Sequence, residues 1–374
     1  MSESRFVLAD SYEGLLEQAR DSWEEGDLAG AETFYRRLVE KLGRLSDRVL
    51  ARRPELQDMH REARLEFSVL LSEQGRYAEA IEVEEVLLNT HPEEAVLWRT
   101  DLAILRMAKG ETEAGLTELR ALAEEDPGDP NGWLVLGREM RIEGRFGESQ
   151  AALDRALEVG READPQMLAL IHYERFRLFK EMGRLDDALA AWEESVKLDA
   201  DLKVTIRQVY QMLTQAGRYS EALGYVARDD NEMQAGFQRG LIASLRGEPA
   251  KARQEWQKVA EMDPDEFEFG HDTWVESVLR LGDPVPALNW LRTALREFRN
   301  VRLLVLAGIG WAMQHNYQLA AKLFQGAISI LRTSRPSKQK LDSAEWRLLD
   351  SLIVDEETKA ALKPYFAVVE TVWG

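Results

Sequence analysis

The chain has no cysteine among its 374 residues, which excludes disulfides, thiolate nucleophiles and Cys-ligated zinc. Histidine is nearly as scarce. His60, His91, His172, His271 and His315 are the full set of five, and their spread along the chain leaves no imidazole cluster to expect. Long apolar runs are missing too: the longest, Leu303 to Met313, suits one buried helix and falls short of the ~18 residues that a membrane helix needs. The first ten residues hold a short apolar run and an acid at position 3, so no secretory leader is read and a soluble, cytoplasmic protein is expected. Basic residues are in deficit, 48 Lys and Arg against 67 Asp and Glu, a net charge of −19. Nucleic acid and anionic membrane both require Lys and Arg, so neither is expected as a partner, while a cationic partner stays open.

Catalytic signatures are absent in the same way. There is no Gly-x-x-x-x-Gly-Lys-Ser/Thr loop, no strand-flanked Gly-x-Gly-x-x-Gly, no Gly-x-Ser-x-Gly and no His-Glu-x-x-His. The densest acidic run is Asp263, Asp265, Glu266, Glu268, His271 and Asp272. A hard cation needs oxygen ligands that converge. This run straddles a helix-to-helix loop, with Asp263 and Asp272 read as caps and the rest as solvated. No catalytic residue, cofactor or metal is expected, and the chain is read as a non-enzyme.

What is present is a phrase that returns, Gly-Arg-aromatic-x-x-small. It stands at Gly75-Arg76-Tyr77, Gly144-Arg145-Phe146 and Gly217-Arg218-Tyr219, with Leu185 in the aromatic place after Gly183-Arg184. Weaker copies begin at Gly26, Gly110, Gly247 and Gly282, and His315 replaces the glycine in the last. The intervals are 49, 35, 34, 39, 34, 30, 35 and 33 residues, centred on the tetratricopeptide period among known repeat architectures. Each glycine closes a first helix by taking the left-handed conformation after its last turn, and its Arg is read as solvent-facing.

One repeat shows the construction. Trp133, Leu136, Gly137 and Met140 fall on one helical face, with Asn131 read as the N-cap after Pro130. After Gly144, Phe146 opens a second helix whose inner face is Ser149, Leu153 and Ala156. The 49-residue interval implies elongated helices over residues 29–74, with Ala29 to Arg52 read as one long helix. The 39-residue interval adds a turn around Val159 to Pro165. The 30-residue interval implies a shortened second helix near Asp229-Asp230-Asn231. Beyond Thr333, a polar connector leads to Leu341, Ala344, Leu348, Leu349 and Leu352 on one face, then to an apolar segment from Tyr365 to Trp373. Residues 334–374 read as a helical cap on the last repeat, and the apolar segment offers a route to a homo-oligomer.

These residues resemble the tetratricopeptide repeat (TPR) family. Trp133-x-x-Leu136-Gly137-x-x-Met140 looks like its first-helix signature. Ser149, Leu153 and Ala156 look like its second-helix positions, as do Ala80 with Pro92 and Ala252 with Trp256 and Pro264. Departures are Gly115 for the small Ala, Glu84 for the usual aromatic, and His315 in the turn. The resemblance implies an all-α fold, a right-handed α-solenoid of about nine antiparallel helix pairs over residues 1–333. It also implies protein–protein interaction, and no shared catalytic residues.

In that family the positions six and three before the turn glycine point into a concave groove. Here they are Arg138 and Arg141, then Arg177 and Lys180, with Gln211 and Arg207 on the next first helix and Tyr173 and Asn131 beside them. Guanidinium forks suit carboxylates, so an acidic peptide or a free C-terminus is one expected ligand. The alternative is plain: Glu174 and Glu181 lie within four residues of Arg177, and ordinary helix-surface pairs also explain these charges. The Lys and Asn pattern of the heat-shock carboxylate clamp is not found. The tryptophans Trp133, Trp192, Trp256, Trp274 and Trp311 all fall on core positions. The expectation is a scaffold or adaptor that binds a peptide or helix of a partner protein across repeats spanning about residues 97–246. A peptide- or ligand-gated TPR regulator is the alternative, followed by an RNA-binding helical repeat protein.

Overall fold

The recurrent glycines are left-handed turns. In the computed structural model all eight, from Gly26 to Gly282, have φ between +70° and +105°. His315 has φ +56° and is the one non-glycine with positive φ among the described residues. The turn is closed as a Schellman motif: Arg184 N donates to Phe179 O at 2.9 Å and Gly183 N to Lys180 O at 3.1 Å. The described residues are 11–24, 26–50, 52–297 and 300–333, with Leu352, Glu356, Glu357 and Ala360. Among them there are nineteen α-helices and no strand. They form two compact units that divide after Pro127.

The first unit holds α1 (Tyr12–Glu24), α2 (Leu28–Gly43), α3 (Asp47–Leu50), α4 (Pro54–Glu73), α5 (Tyr77–Thr90), α6 (Ala95–Lys109) and α7 (Thr112–Glu125). The long helix expected from Ala29 to Arg52 is broken. α2 stops at Gly43, and Ser46-Asp47, a pair that favours turns, starts a separate short helix. Leu45 and Leu50 thereby reach the core of Leu15, Tyr35, Leu38, Phe67 and Leu70.

The second unit holds α8 (Pro130–Ile142), α9 (Phe146–Val159), α10 (Pro165–Glu181), α11 (Leu185–Leu198), α12 (Ile206–Gln215), α13 (Tyr219–Val226), α14 (Glu232–Leu245) and α15 (Pro249–Ala260), then α16 (His271–Arg280), α17 (Val285–Glu297), α18 (Val301–Met313) and α19 (Tyr317–Thr333). The 39-residue interval goes into a 3-10 turn at Gly160–Glu162 and a 17-residue α10. The 30-residue interval leaves α13 with 8 residues, as its caps implied. The cap expected over residues 334–374 lies outside the described residues apart from four. One of them, Leu352, is buried against the α16–α19 core.

Small residues let paired helices touch. A Cβ on Gly137 would stand 2.7 Å from Leu153 Cγ, and one on Gly240 would stand 2.4 Å from the Trp256 indole nitrogen. Gly240→Val is therefore expected to cost about 1–3 kcal/mol by overpacking. A lower urea midpoint at unchanged slope is the sign of it, and an unchanged midpoint would show that Trp256 moves aside.

The arginine of the phrase is not simply solvated. Arg76, Arg184 and Arg218 each bind the acid three residues on, Glu79, Asp187 and Glu221. Each also reaches back to the preceding repeat: to Glu32 at 2.6 Å, Gln150 at 2.9 Å and Asp186 at 2.6 Å. No helix among the described residues is long and apolar enough to cross a membrane.

Candidate functional site

All eight residues expected to line a groove lie in the second unit, on its first helices. Arg138 is half-buried, and its Nε donates to Glu139 Oε1 at 3.2 Å. Arg141 is 3 % exposed and fixed between helices, to Glu174 Oε2 at 3.3 Å and Glu181 Oε1 at 2.5 Å. Arg177 Nη1 donates to the other oxygen of Glu174 at 3.0 Å. One carboxylate thus sits between two guanidiniums, and the cationic row carries its own counter-charges. Lys180 Nζ donates to Gln208 Oε1 at 3.3 Å, and Gln208 Nε2 donates to the Tyr173 hydroxyl at 2.8 Å. These bonds join α10 to α12 and leave Tyr173, Arg177, Lys180, Gln208 and Gln211 part-exposed. Asn131 is exposed but is not the cap of α8. Asp129 is, with its Oδ1 accepting from Asn131 N at 3.0 Å.

Arg207 belongs to a different assembly, which sequence reasoning missed. Its guanidinium holds Asp272 in two bonds, Nη1 to Oδ1 at 3.1 Å and Nη2 to Oδ2 at 2.6 Å. Arg302 Nε lies 2.7 Å from the same carboxylate, and its Nη2 donates to Glu276 Oε2 at 2.8 Å. Glu276 also accepts from Arg280 at 2.6 Å. Arg280 in turn lies over the ring of Trp256, 5.0 Å from its centroid. This clasp ties α12, α16 and α18 together beside α14, ten of whose fourteen residues are buried. Burial alone would push the Asp272 carboxyl up, but Arg207 and Arg302 overrule it and hold it well below the usual carboxylate range. Asp272 was expected to cap α16; Gly270 occupies the N-cap instead, and Asp272 turns inward.

The first unit carries buried polar groups where apolar ones are the rule. Glu84, in the place that Leu153 fills in its own repeat, is 4 % exposed and accepts from Ser68 Oγ at 2.6 Å. Burial pushes its carboxyl up to about 7; the Ser68 hydroxyl works against that rise and Asp101 adds to it. Arg64 stands where Trp133 stands in its repeat. It lies near the C-terminal end of α2, with Nη2 3.5 Å from Val39 O, and burial pushes it down to about 10. His60 and His91, expected to be scattered, meet with ring centroids 5.9 Å apart, because α4 and the end of α5 belong to one pair.

The acidic run near α16 does not gather. Asp263 caps the 3-10 turn Pro264–Glu266, Asp265 accepts from the Trp290 indole at 2.8 Å, and His271 stacks on Trp290. No group of three or more His, Asp or Glu among the described residues is placed to hold a metal ion. Trp98, Trp192, Trp256 and Trp274 are buried core residues, while Trp133 and Trp311 pack partly buried against the core.

No protein-family model matches the sequence, and no curated protein matches it. Among solved structures, yeast Tom70 superposes with a TM-score of 0.50 at 13 % identity, over 97 % of this chain and 82 % of that one. A tetratricopeptide repeat protein from Parabacteroides merdae aligns over 71 % of this chain and 97 % of its own, with a TM-score of 0.43 at 17 % identity. The TPR protein YrrB aligns over 57 % of this chain and 91 % of its own, with a TM-score of 0.31 at 18 % identity. Paired helices, left-handed turns at a ~34-residue period and small residues at the helix contacts complete the correspondence. The chain has the TPR fold. Arg138 and Arg177 stay part-exposed, whereas Arg141 and Arg207 are withdrawn into contacts between helices.

Proposed function

We propose that the chain is a non-catalytic TPR scaffold whose first-helix face on α8, α10 and α12 binds a peptide or helix of a partner protein. The observation that carries this reading is the hydrogen-bonded set Tyr173–Gln208–Lys180 with Arg177 beside it. These side chains are part-exposed yet fixed, the first three by one another and Arg177 by Glu174. A surface fixed before the ligand arrives loses little side-chain freedom on binding. Arg141, Glu174 and Glu181 support that surface rather than meet the ligand. Arg138, Arg177 and Lys180 present cations to it, suited to acidic side chains or a terminal carboxylate. Gln211 and Asn131 mark the two ends of the face.

Arg138→Glu combined with Arg177→Glu is expected to weaken partner capture from source-cell lysate by at least about tenfold, a modest loss for two charge reversals at a contact. Helical content and melting temperature should stay within error of the parent. Undiminished capture by the folded double variant would remove the assignment.

A further inference from the structure

Three buried side-chain nitrogens at one place in the first unit find no hydrogen-bond partner in the protein: His60 Nδ1, Arg64 Nε and His91 Nε2. Their residues are only 3 or 4 % exposed. A buried polar atom left without a partner has given up its hydration for nothing, so a group of them calls for a reason. His60 and Arg64 are four residues apart on α4, on one helical face. The arginine side chain lies back over the preceding turn, with Nη1 3.4 Å from His60 O. The His91 ring meets that of His60 from the end of α5, with centroids 5.9 Å apart. Burial, with Arg64 and His91 nearby, keeps the His60 ring uncharged at neutral pH, and one tautomer then donates from Nδ1.

The charge here is one-sided. No carboxylate among the described residues pairs with Arg64, and burial is the one influence that moves its pKa. The nearby acids are engaged elsewhere. Glu94 Oε1 accepts from Arg61 Nη1 at 2.7 Å, and the exposed Glu93 stands 3.5 Å from His91 Nδ1, the ring nitrogen opposite the unpartnered one. Two of the five N–H groups of Arg64 meet an acceptor, the carbonyls of His60 and Val39 at 3.4 and 3.5 Å, both at the limit of a hydrogen bond. The Nε–Nη2 edge, which suits two oxygens of one oxyanion, holds only the long contact to Val39.

That edge has a way in. α2 ends at Gly43, which is exposed. Apart from its own helix backbone and chain neighbours, a Cβ built on Gly43 would meet one heavy atom within 4 Å, Arg64 Nη2 at 3.3 Å. The absent side chain therefore leaves room between solvent and the guanidinium. With its walls this deeply buried, the place suits an ion of a few atoms rather than a peptide.

We propose that the Nε–Nη2 edge of Arg64 binds a small oxyanion that enters past Gly43, with the imidazoles of His60 and His91 as the polar wall behind it. The ion supplies the counter-charge that this guanidinium lacks and braces α4 against the end of α2. The carbonyl end of α2 opposes an anion, so binding is expected at millimolar rather than micromolar concentration. The site lies wholly in the first unit, and its failure would leave the partner face on α8, α10 and α12 untouched.

The test is an NMR titration of the full chain, labelled with nitrogen-15 at arginine, with sulfate, phosphate and acetate in turn at constant ionic strength. The Arg64 Nε–H signal, assigned by its disappearance in Arg64→Met, should shift and saturate with at least one of the three, and the comparison of arms tells a tetrahedral from a planar ion. Gly43→Val, which fills the entry, should weaken that binding at least about tenfold, the worth of one charge-assisted hydrogen bond. Arg253→Met, an exposed control, should leave it unchanged. In urea, wild type should gain more from the bound ion than Arg64→Met gains, a comparison that holds even if Gly43→Val folds poorly. An Arg64 signal that does not saturate with any of the three ions overturns the proposal. So does equal affinity in a folded Gly43→Val, or an equal gain in urea for wild type and Arg64→Met.

Discussion

Asp272→Ala is expected to destabilise the second unit by about 3–5 kcal/mol, the range for breaking a buried ion pair by removing one partner. The cost comes from what is left behind: Arg207 and Arg302 keep their charges in a largely water-free place and lose the carboxylate they share. Replacing Arg207 with Leu in the Asp272→Ala background should cost less than the two single changes added together, because only one stranded cation remains. Urea unfolding of the three variants gives the comparison, and strict additivity would show that the pair is not coupled. Acid reads the same contact. The Asp272 carboxyl is held below its unfolded value, so the stability it contributes is full above about pH 4. It disappears only as pH falls through the depressed folded value, so wild type and variant should converge in strong acid and differ at neutrality.

The second large effect has the opposite sign. Glu84→Gln is expected to stabilise the first unit by about 3 kcal/mol at pH 8 and by little at pH 4.5, since each pKa unit is worth ~1.4 kcal/mol. The folded carboxyl is raised to about 7 from 4.5. Its contribution is therefore fully present below the unfolded value and is lost as pH rises through the folded one. Gln keeps the shape and the contact to Ser68 without the charge. A gap between wild type and variant that opens from pH 4.5 to 7 and then stays level is the expected melting result; a gap independent of pH would exclude a titrating Glu84. His60 works the other way. Burial, with Arg64 and His91 nearby, pushes it down to about 4, so its contribution is lost as pH falls from 6.5 toward that value. Because the two titrations oppose each other over the same range, their effects on the first unit largely offset in the wild type, and it is Glu84→Gln that uncovers the loss toward acid due to His60.

The turns were legible because their requirement is local. Only a residue that tolerates positive φ can end a first helix this way, and glycine stands at eight of the nine places. The short α13 was legible for a similar reason, since Asp229, Asp230 and Asn231 favour caps and turns. The break after α2 was also written in the sequence, in Gly43 followed by Ser46-Asp47, but without a proline these weaker signals lose to the reading of one long helix. The site was harder. Helical spacing places Arg138 and Arg141 on one side, yet it cannot say that Arg141 lies close enough to α10 to be drawn under Glu174 and Glu181. Arg207 and Asp272 lie 65 residues apart, and nothing in either neighbourhood names the other. A signal did exist at the third member: Arg302 is the one charge in α18, an otherwise apolar helix, and a lone cation there calls for a buried acid.

The backward reach of Arg76, Arg184 and Arg218 has a consequence for how the chain comes apart. In a linear array each repeat is stabilised only by its neighbours, so opening spreads until it meets a weak joint. A guanidinium shared by two second helices makes those repeats yield together. At Glu111, Glu248 and Asp283 the same place carries the opposite charge, and the first two pair locally, with Lys109 and Lys251. Those joints are the natural seams, and amide exchange should divide the protein into blocks that open one after another, with boundaries set there rather than at every turn.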